Sequence, residues 1–376
     1  MKGNRLFSRR FGYMLIFPSA IVFLIVSIYP LLTGIMLSFQ NSSLYKGDEK
    51  KFVGLKNIIT ILTSDAEFRS DLLFTVIYLY ATIESNSFHG IDGGGVSAYQ
   101  IDEDGNLTFI NEQPTYGKLP CYVDVESDYL YVSNYGEGTL VCYPLEQDGS
   151  IGGCERKISH LPSAQKVPHV HCSEITPDGE YICVLDCGID AVAFYNAKGE
   201  HRYDLEYAFG TKDGSGPRHV CFSDDGNLAY IICETNSDIN VYKYKKTAPG
   251  KMILIQQINT LPDDYLGWSV TSALRYSRDR SMMFASNRGD NSITCFRVDP
   301  QTGMLIKTSV VKMPGSFPRD FNLTPDGRFL IVGIQHDDKI LAYEIDYQNG
   351  TLHYTGKQCD VPSPCCIIFH NDYQRK

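Results

Sequence analysis

Two arginines, a glutamate and a histidine stand at matching places in a chain that repeats itself. His171 lies in PHVHCSEI, Arg218 in PRHVCF, Glu234 ends AYIICE, and Arg288 follows MMFASN. Ester hydrolysis needs a water, a base for its proton and a positive group for the oxyanion. His171 and Glu234 are the acid/base candidates, and residue type alone does not rank them. Arg218 and Arg288 suit anionic oxygens, because a guanidinium offers several donors in a fixed fork. His169, His219, Asn134, Asn287 and Arg319 neighbour these four and are the expected ligand-binding set. The plainer reading has Arg218 paired with an acid of the next repeat and His171 as a structural histidine. What favours a site is the company of all four at equivalent repeat positions.

The repeat supplies the strands that place these side chains. Short apolar strands end in a polar residue at Asn134, Asp186, Glu234, Asn287 and Gln335, spaced by 52, 48, 53 and 48 residues. TPDG at 176–179, DDG at 224–226 and TPDG at 324–327 supply turns ahead of three of them. A preceding strand opens after Pro120, Pro168, Pro217, Pro318 and Pro364, and an alternating strand such as DAVAFYN or NSITCFRV follows each anchor. Strands repeating in groups of four per ~50 residues indicate β-propeller blades; the 3.6-residue period of a helical solenoid is absent. YLYATI at 78–83 aligns with YLYVSN, so a blade begins there without its innermost strand, and PCCIIF near the end supplies an innermost strand without partners. The expected architecture is an all-β propeller incomplete by about one blade, with apolar edges at IYLYATI and CCIIF.

The first 77 residues read differently. Residues 1–80 carry nine Lys/Arg against five Asp/Glu and no cysteine, whereas the whole chain has net charge -10 and twelve cysteines. No charged residue occurs from Phe11 through Tyr45. The apolar run of about 11–39 exceeds the ~20 residues that a membrane helix needs and the ~7–15 of a signal-peptide core, so one transmembrane α-helix is expected. Arg5, Arg9 and Arg10 favour a cytoplasmic N-terminus, although Lys46, Lys50, Lys51 and Lys56 follow the run. Two domains result, a membrane segment at 1–77 and a propeller at 78–376. The acidic balance argues against nucleic acid as a partner.

Neither Cys183 with Cys187 nor Cys365 with Cys366 has a second half at zinc spacing, and no GxSxG elbow or Lys-Ser/Thr phosphate loop occurs. No metal and no cofactor are expected. Twelve cysteines without a framework pattern suit a reducing compartment, whereas one span with an inside N-terminus places the propeller outside. Membrane attachment is expected, with the side left open.

Two resemblances follow from the residues quoted. FPSAIVFLIVSIYPLLTGIMLSF with FVGLKN at 52–57 resembles the start of a sugar ABC-transporter permease, over about residues 8–77. The permease's coupling loop and other helices have no counterpart here, so transport is not expected. GGGVSAYQIDEDGNL at 93–107, VSNYGEGTLVCYPLEQDGSI at 132–151, PHVHCSEITPDG at 168–179, GSGPRHVCFSDDG at 214–226, FASNRGDNSITCFRVD at 284–299 and PRDFNLTPDGRFL at 318–330 resemble the 6-phosphogluconolactonase and muconate-cycloisomerase family of seven-bladed propellers. This second resemblance covers about 78–369 and implies an N-terminally truncated member fused to the permease fragment. It implies metal-independent hydrolysis of a sugar phosphate lactone, 6-phosphogluconolactone above others, with His171, Arg218, Glu234 and Arg288 as the site. A muconate-type lactonizing cycloisomerase, a non-catalytic binding scaffold and an inactive fusion chain are the alternatives.

Overall fold

In a computed structural model the residues described are 77–102, 104–162, 165–244 and 252–369, with Tyr29, Thr33, Met36, 39–41 and 51–56 of the earlier chain. The chain divides into two compact units, Met1–Val76 and Ile77–Lys376. In the first, β1 (Gln40–Asn41) pairs antiparallel with β2 (Lys51–Phe52). Among the described residues no helix is long and apolar enough to cross a membrane. The expected helix at 11–39 lies almost wholly outside the described residues, as does most of the permease-like stretch, so membrane attachment and the fusion are without support here.

The second unit is a succession of antiparallel sheets. β3 (Ile77–Ile83) opens it, and a small hairpin of β4 (Ser87–Phe88) and β5 (Ile91–Asp92) follows. β6 (Gly95–Ile101) and β7 (Leu107–Pro114) then complete a sheet of order β3-β6-β7. Four strands build the next, β8 (Pro120–Glu126), β9 (Tyr129–Asn134), β10 (Thr139–Pro144) and β11 (Arg156–Ser159). The following blade is β12 (Val170–Ile175), β13 (Tyr181–Asp186), β14 (Ala191–Asn196) and β15 (Leu205–Gly210). After it come β16 (Pro217–Phe222), β17 (Leu228–Cys233), β18 (Asp238–Tyr244) and β19 (Met252–Asn259). The last two blades are β20 (Val270–Tyr276), β21 (Met282–Arg288), β22 (Ser292–Val298), β23 (Leu305–Lys312) and β24 (Pro318–Leu323), β25 (Phe329–Ile334), β26 (Lys339–Asp346), β27 (Thr351–Asp360). Innermost strands β8, β12, β16, β20 and β24 each contact the next, which is the radial arrangement of a propeller.

The second strands of the four middle blades, β9, β13, β17 and β21, are buried on both faces because neighbouring blades cover both. On β21, Met282 and Phe284 join Phe321, Leu330 and Val332 of the following blade. Its other face, Met283 and Ala285, joins Tyr230 and Ile232 of the preceding one. Each such side chain contributes about 1.5–3 kcal/mol of burial. The turns ahead of these strands share one chemistry. Gly179, Gly226 and Gly327 have φ of +68°, +64° and +71° and donate to Thr176, Ser223 and Thr324 carbonyls. A left-handed φ there favours glycine.

Among the described residues six sheets have three or four strands, and two more are two-stranded pairs. One expected strand is absent. Residues 364–369 carry no strand; instead the Ile367 N–H donates to Asp320 Oδ2 at 2.7 Å and Asn322 Nδ2 donates to the Ile367 carbonyl at 3.1 Å. Side chains of β24 occupy the place of a ladder there, so the apolar edge expected at CCIIF is not an edge strand.

Candidate active site

Four innermost strands depart from regular pairing at the same place. The register shifts between Pro120 and Tyr122, Val170 and Cys172, Pro217 and His219, and Pro318 and Asp320. In each strand one residue is extra, Cys121, His171, Arg218 and Arg319 respectively. A fifth shift, between Thr271 and Leu274, takes in Ser272 and Ala273. A bulge re-aims the side chain it carries and is common beside active sites. Prolines begin most of these strands, where a missing N–H breaks no ladder. His171 and Arg218, expected from sequence, thus owe their placement to a bulge that the repeat reuses.

Glu234, immediately after β17, is the centre of the charge arrangement. Its Oε1 lies 2.9 Å from Arg288 Nη2 and its Oε2 lies 3.0 Å from Arg218 Nε. The second contact is ionic without hydrogen-bond alignment, since the Arg218 Nε has no hydrogen-bond partner. Both guanidiniums also donate to backbone, Arg218 Nη1 to Ser272 O and Arg288 Nη2 to Thr271 O, each at 2.6 Å. The arginine side chains are 6% and 7% exposed and that of Glu234 is 23% exposed. The acid paired with Arg218 thus belongs to its own blade and not to the next, and the next blade's Arg288 shares it. Burial and the charge of Arg218 lower Arg288 to about 10, against the opposing pull of Glu234.

His171 stands beside this triad. Burial, then the charges of Arg218 and Arg288, hold its imidazole well below its ordinary range, so the ring is neutral at pH 7. Its Nδ1 is buried without a hydrogen-bond partner among the described residues. Its ring meets those of His219 at 5.1 Å and Tyr135 at 5.9 Å, both edge-on. His219 is likewise held low, by burial first and then by Arg218, whose Nη1 lies 3.0 Å from its Nε2. His169 stacks on Tyr135 at 4.4 Å, with its Nδ1 2.8 Å from the Tyr135 carbonyl oxygen. Arg319 reaches Gln335 Oε1 at 3.4 Å, and its charge acts on both His171 and Arg288.

Asn134 and Asn287 are not part of this cluster. Both are fully buried, and their amides are bonded to Thr115 and Thr139, and to Thr260, Ser292 and Thr294. They tie down loops inside the fold. Tyr135 and Phe317 were not legible as site residues. Phe317 lies under the Arg288 guanidinium at 5.2 Å and stacks on His336 at 4.1 Å. Position gave a signal for Tyr135, which follows its anchor Asn134 as Arg288 follows Asn287. Among the described residues no group of three or more His, Cys, Asp or Glu could hold a metal ion. A cavity of about 880 Å³ is lined by the far halves of the inner strands, with Asp124, Glu174 and Arg275, and by none of the four expected catalytic residues.

Residues 75–369 match the family described as "Lactonase, 7-bladed beta-propeller". The chain is similar to the 6-phosphogluconolactonase of Bacillus subtilis strain 168, with 32% identity over 292 residues, 75% of this chain and 83% of that protein. Among solved structures it is similar to a periplasmic gluconolactonase of Pseudomonas aeruginosa, with TM-score 0.71, 30% identity and coverage of 76% and 83%. It is also similar to a protein from Lactobacillus plantarum, with TM-score 0.69, 30% identity and coverage of 76% and 83%. The family match begins at residue 75 and lends nothing to the permease likeness of the earlier residues.

Proposed function

Since the chain belongs to the lactonase family of 7-bladed β-propellers, we propose that it hydrolyses a sugar lactone, with 6-phosphogluconolactone as the favoured substrate. One observation carries this reading. Arg218, Arg288 and Arg319 gather around one carboxylate and a neutral histidine, so the site holds a positive excess in a chain of net charge -10. Such an excess suits an anionic substrate and the oxyanion that forms during ester cleavage.

Two features of the geometry support His171 over Glu234 as the base. Both oxygens of Glu234 are already engaged by guanidiniums, whereas His171 is neutral and has an unpartnered nitrogen. His171 is therefore the base. A water oxygen bonds to the lactone carbonyl carbon while its proton passes to His171. The carbonyl oxygen takes the negative charge and an arginine holds it. The ring C–O bond then breaks, and the departing ring oxygen takes the proton back, so lactone plus water becomes hydroxy acid with nothing left over. Glu234 keeps two like-charged arginines close together.

Acid release from 6-phosphogluconolactone and from unphosphorylated gluconolactone, followed at constant pH, tests the reading. Acceleration above the spontaneous rate is expected for both, larger for the phosphorylated lactone. No acceleration of either removes the proposal. Faster turnover of the unphosphorylated lactone removes the phosphate from it.

A further inference from the structure

Resting on the lactonase reading, we propose that Trp268 is a specificity residue whose indole forms a platform for the sugar ring at the mouth of the site. Trp268 lies in the loop joining β19 to β20 and is 67% exposed. Leu266 on the same loop is exposed as well, so this loop presents apolar surface to solvent rather than one isolated side chain. Its backbone is well held. Tyr265 donates its hydroxyl to the Trp268 carbonyl at 2.8 Å, and the next residue, Ser269, donates Oγ to the Arg288 carbonyl at 3.2 Å. Lys307 donates to the Leu261 carbonyl at 2.7 Å, and the Lys312 ammonium sits 5.4 Å over the Tyr265 ring. The loop is thus tied down while the indole stays open.

The indole lies against the backbone that follows Arg288. Gly289, directly after Arg288, has φ +114°, and a Cβ there would lie 2.9 Å from indole Cε3 and 2.3 Å from the Trp268 carbonyl oxygen. Glycine at this position lets the indole close against the backbone beside Arg288. An apolar aromatic face on a loop beside the Arg288 backbone suits a sugar acid. The C–H bonds on one face of the sugar ring meet the negative π face, while its anionic oxygens meet arginine.

The chain has one tryptophan, so tryptophan emission reports Trp268 alone. The full chain is titrated with 6-phosphogluconate, the stable hydroxy acid, and kinetics are compared for wild type, Trp268→Ala and Trp268→Phe. The expected result is a saturable emission change, a KM raised roughly three- to tenfold in W268A with kcat nearly unchanged, and recovery of most of that affinity in W268F. An active wild type whose emission does not move, or whose KM is insensitive to W268A, overturns the platform and leaves the lactonase reading standing. A saturable emission change in a chain that hydrolyses no lactone keeps the platform and removes the reaction. Neither signal removes both.

Discussion

Glu234→Gln isolates what the carboxylate does for the two arginines. The substitution keeps the shape but removes the charge, and its amide nitrogen must face one guanidinium donor to donor. Breaking a buried ion pair by removing one partner costs about 3–5 kcal/mol. The low end applies, because the Glu234 side chain is 23% exposed although the arginines are 6% and 7% exposed. At about 3 kcal/mol, and roughly 2–4 °C per kcal/mol for a domain of this class, Tm falls by roughly 6–12 °C. Arg288, already lowered to about 10, moves lower still when Glu234 no longer opposes its burial. Thermal unfolding of wild type and variant, each with and without inorganic phosphate, is the assay. Phosphate should recover part of the loss in E234Q and do less for wild type, where Glu234 occupies the guanidiniums. A variant that melts within about 2 °C of wild type, with no phosphate dependence, refutes the claim that Glu234 neutralises this pair.

Acid should destabilise the protein through its buried histidines. His171 and His219 have folded-state values held well below their unfolded ~6.5, so the unfolded chain binds more protons in that range. Stability is then retained above pH ~6.5 and falls below it, by up to about 1.4 kcal/mol per pH unit for each histidine. Denaturant midpoints between pH 7 and pH 5 check this, and a flat profile contradicts it. Gly289→Ala should cost about 2 kcal/mol or more and weaken sugar-acid binding, since the new Cβ meets the Trp268 carbonyl at a positive φ; calorimetry of both chains with 6-phosphogluconate reads it. Asp190→Asn should raise KM more than it lowers kcat. Asp190 accepts from the Gly214 and Gly216 N–H groups at 2.8 and 2.7 Å, and so sets the turn that delivers Arg218; initial rates across substrate concentration decide it.

The propeller was legible because each blade repeats one apolar second strand with a polar anchor, and β9, β13, β17, β21 and β25 end at or within one residue of those anchors. Cys183 reads as a core residue from sequence and is fully buried on β13. His171, Arg218, Glu234 and Arg288 do converge, which equivalence across repeats could indicate. The bulges that aim His171 and Arg218 were not legible, since they are differences between two strands and no single strand shows them. The double engagement of Glu234 was hidden for the same reason, because its partners come from two blades. Trp268 sits on the loop at 260–269, whose ten-residue counterpart at 160–169 shares only its Leu-Pro, so periodicity said nothing of the tryptophan. PCCIIF carries the innermost-strand pattern, yet Asp320 and Asn322 hold its backbone and no ladder forms. Asn134 and Asn287 share the anchor position with Glu234, but their shorter side chains bond through Nδ2 to Thr139 and Ser292 within the fold.

In the proposed reaction a neutral His171 activates water against a lactone held by arginines. The direct measurement is the catalysed rate of acid release from 6-phosphogluconolactone at pH 7 for wild type and His171→Asn, corrected for spontaneous opening, with folding of both checked by thermal unfolding. Acceleration by wild type is expected, with a loss of kcat of about 10²-fold or more in the folded variant and KM little changed. A wild type that adds nothing to the spontaneous rate, or a His171→Asn chain that keeps it, would contradict the account.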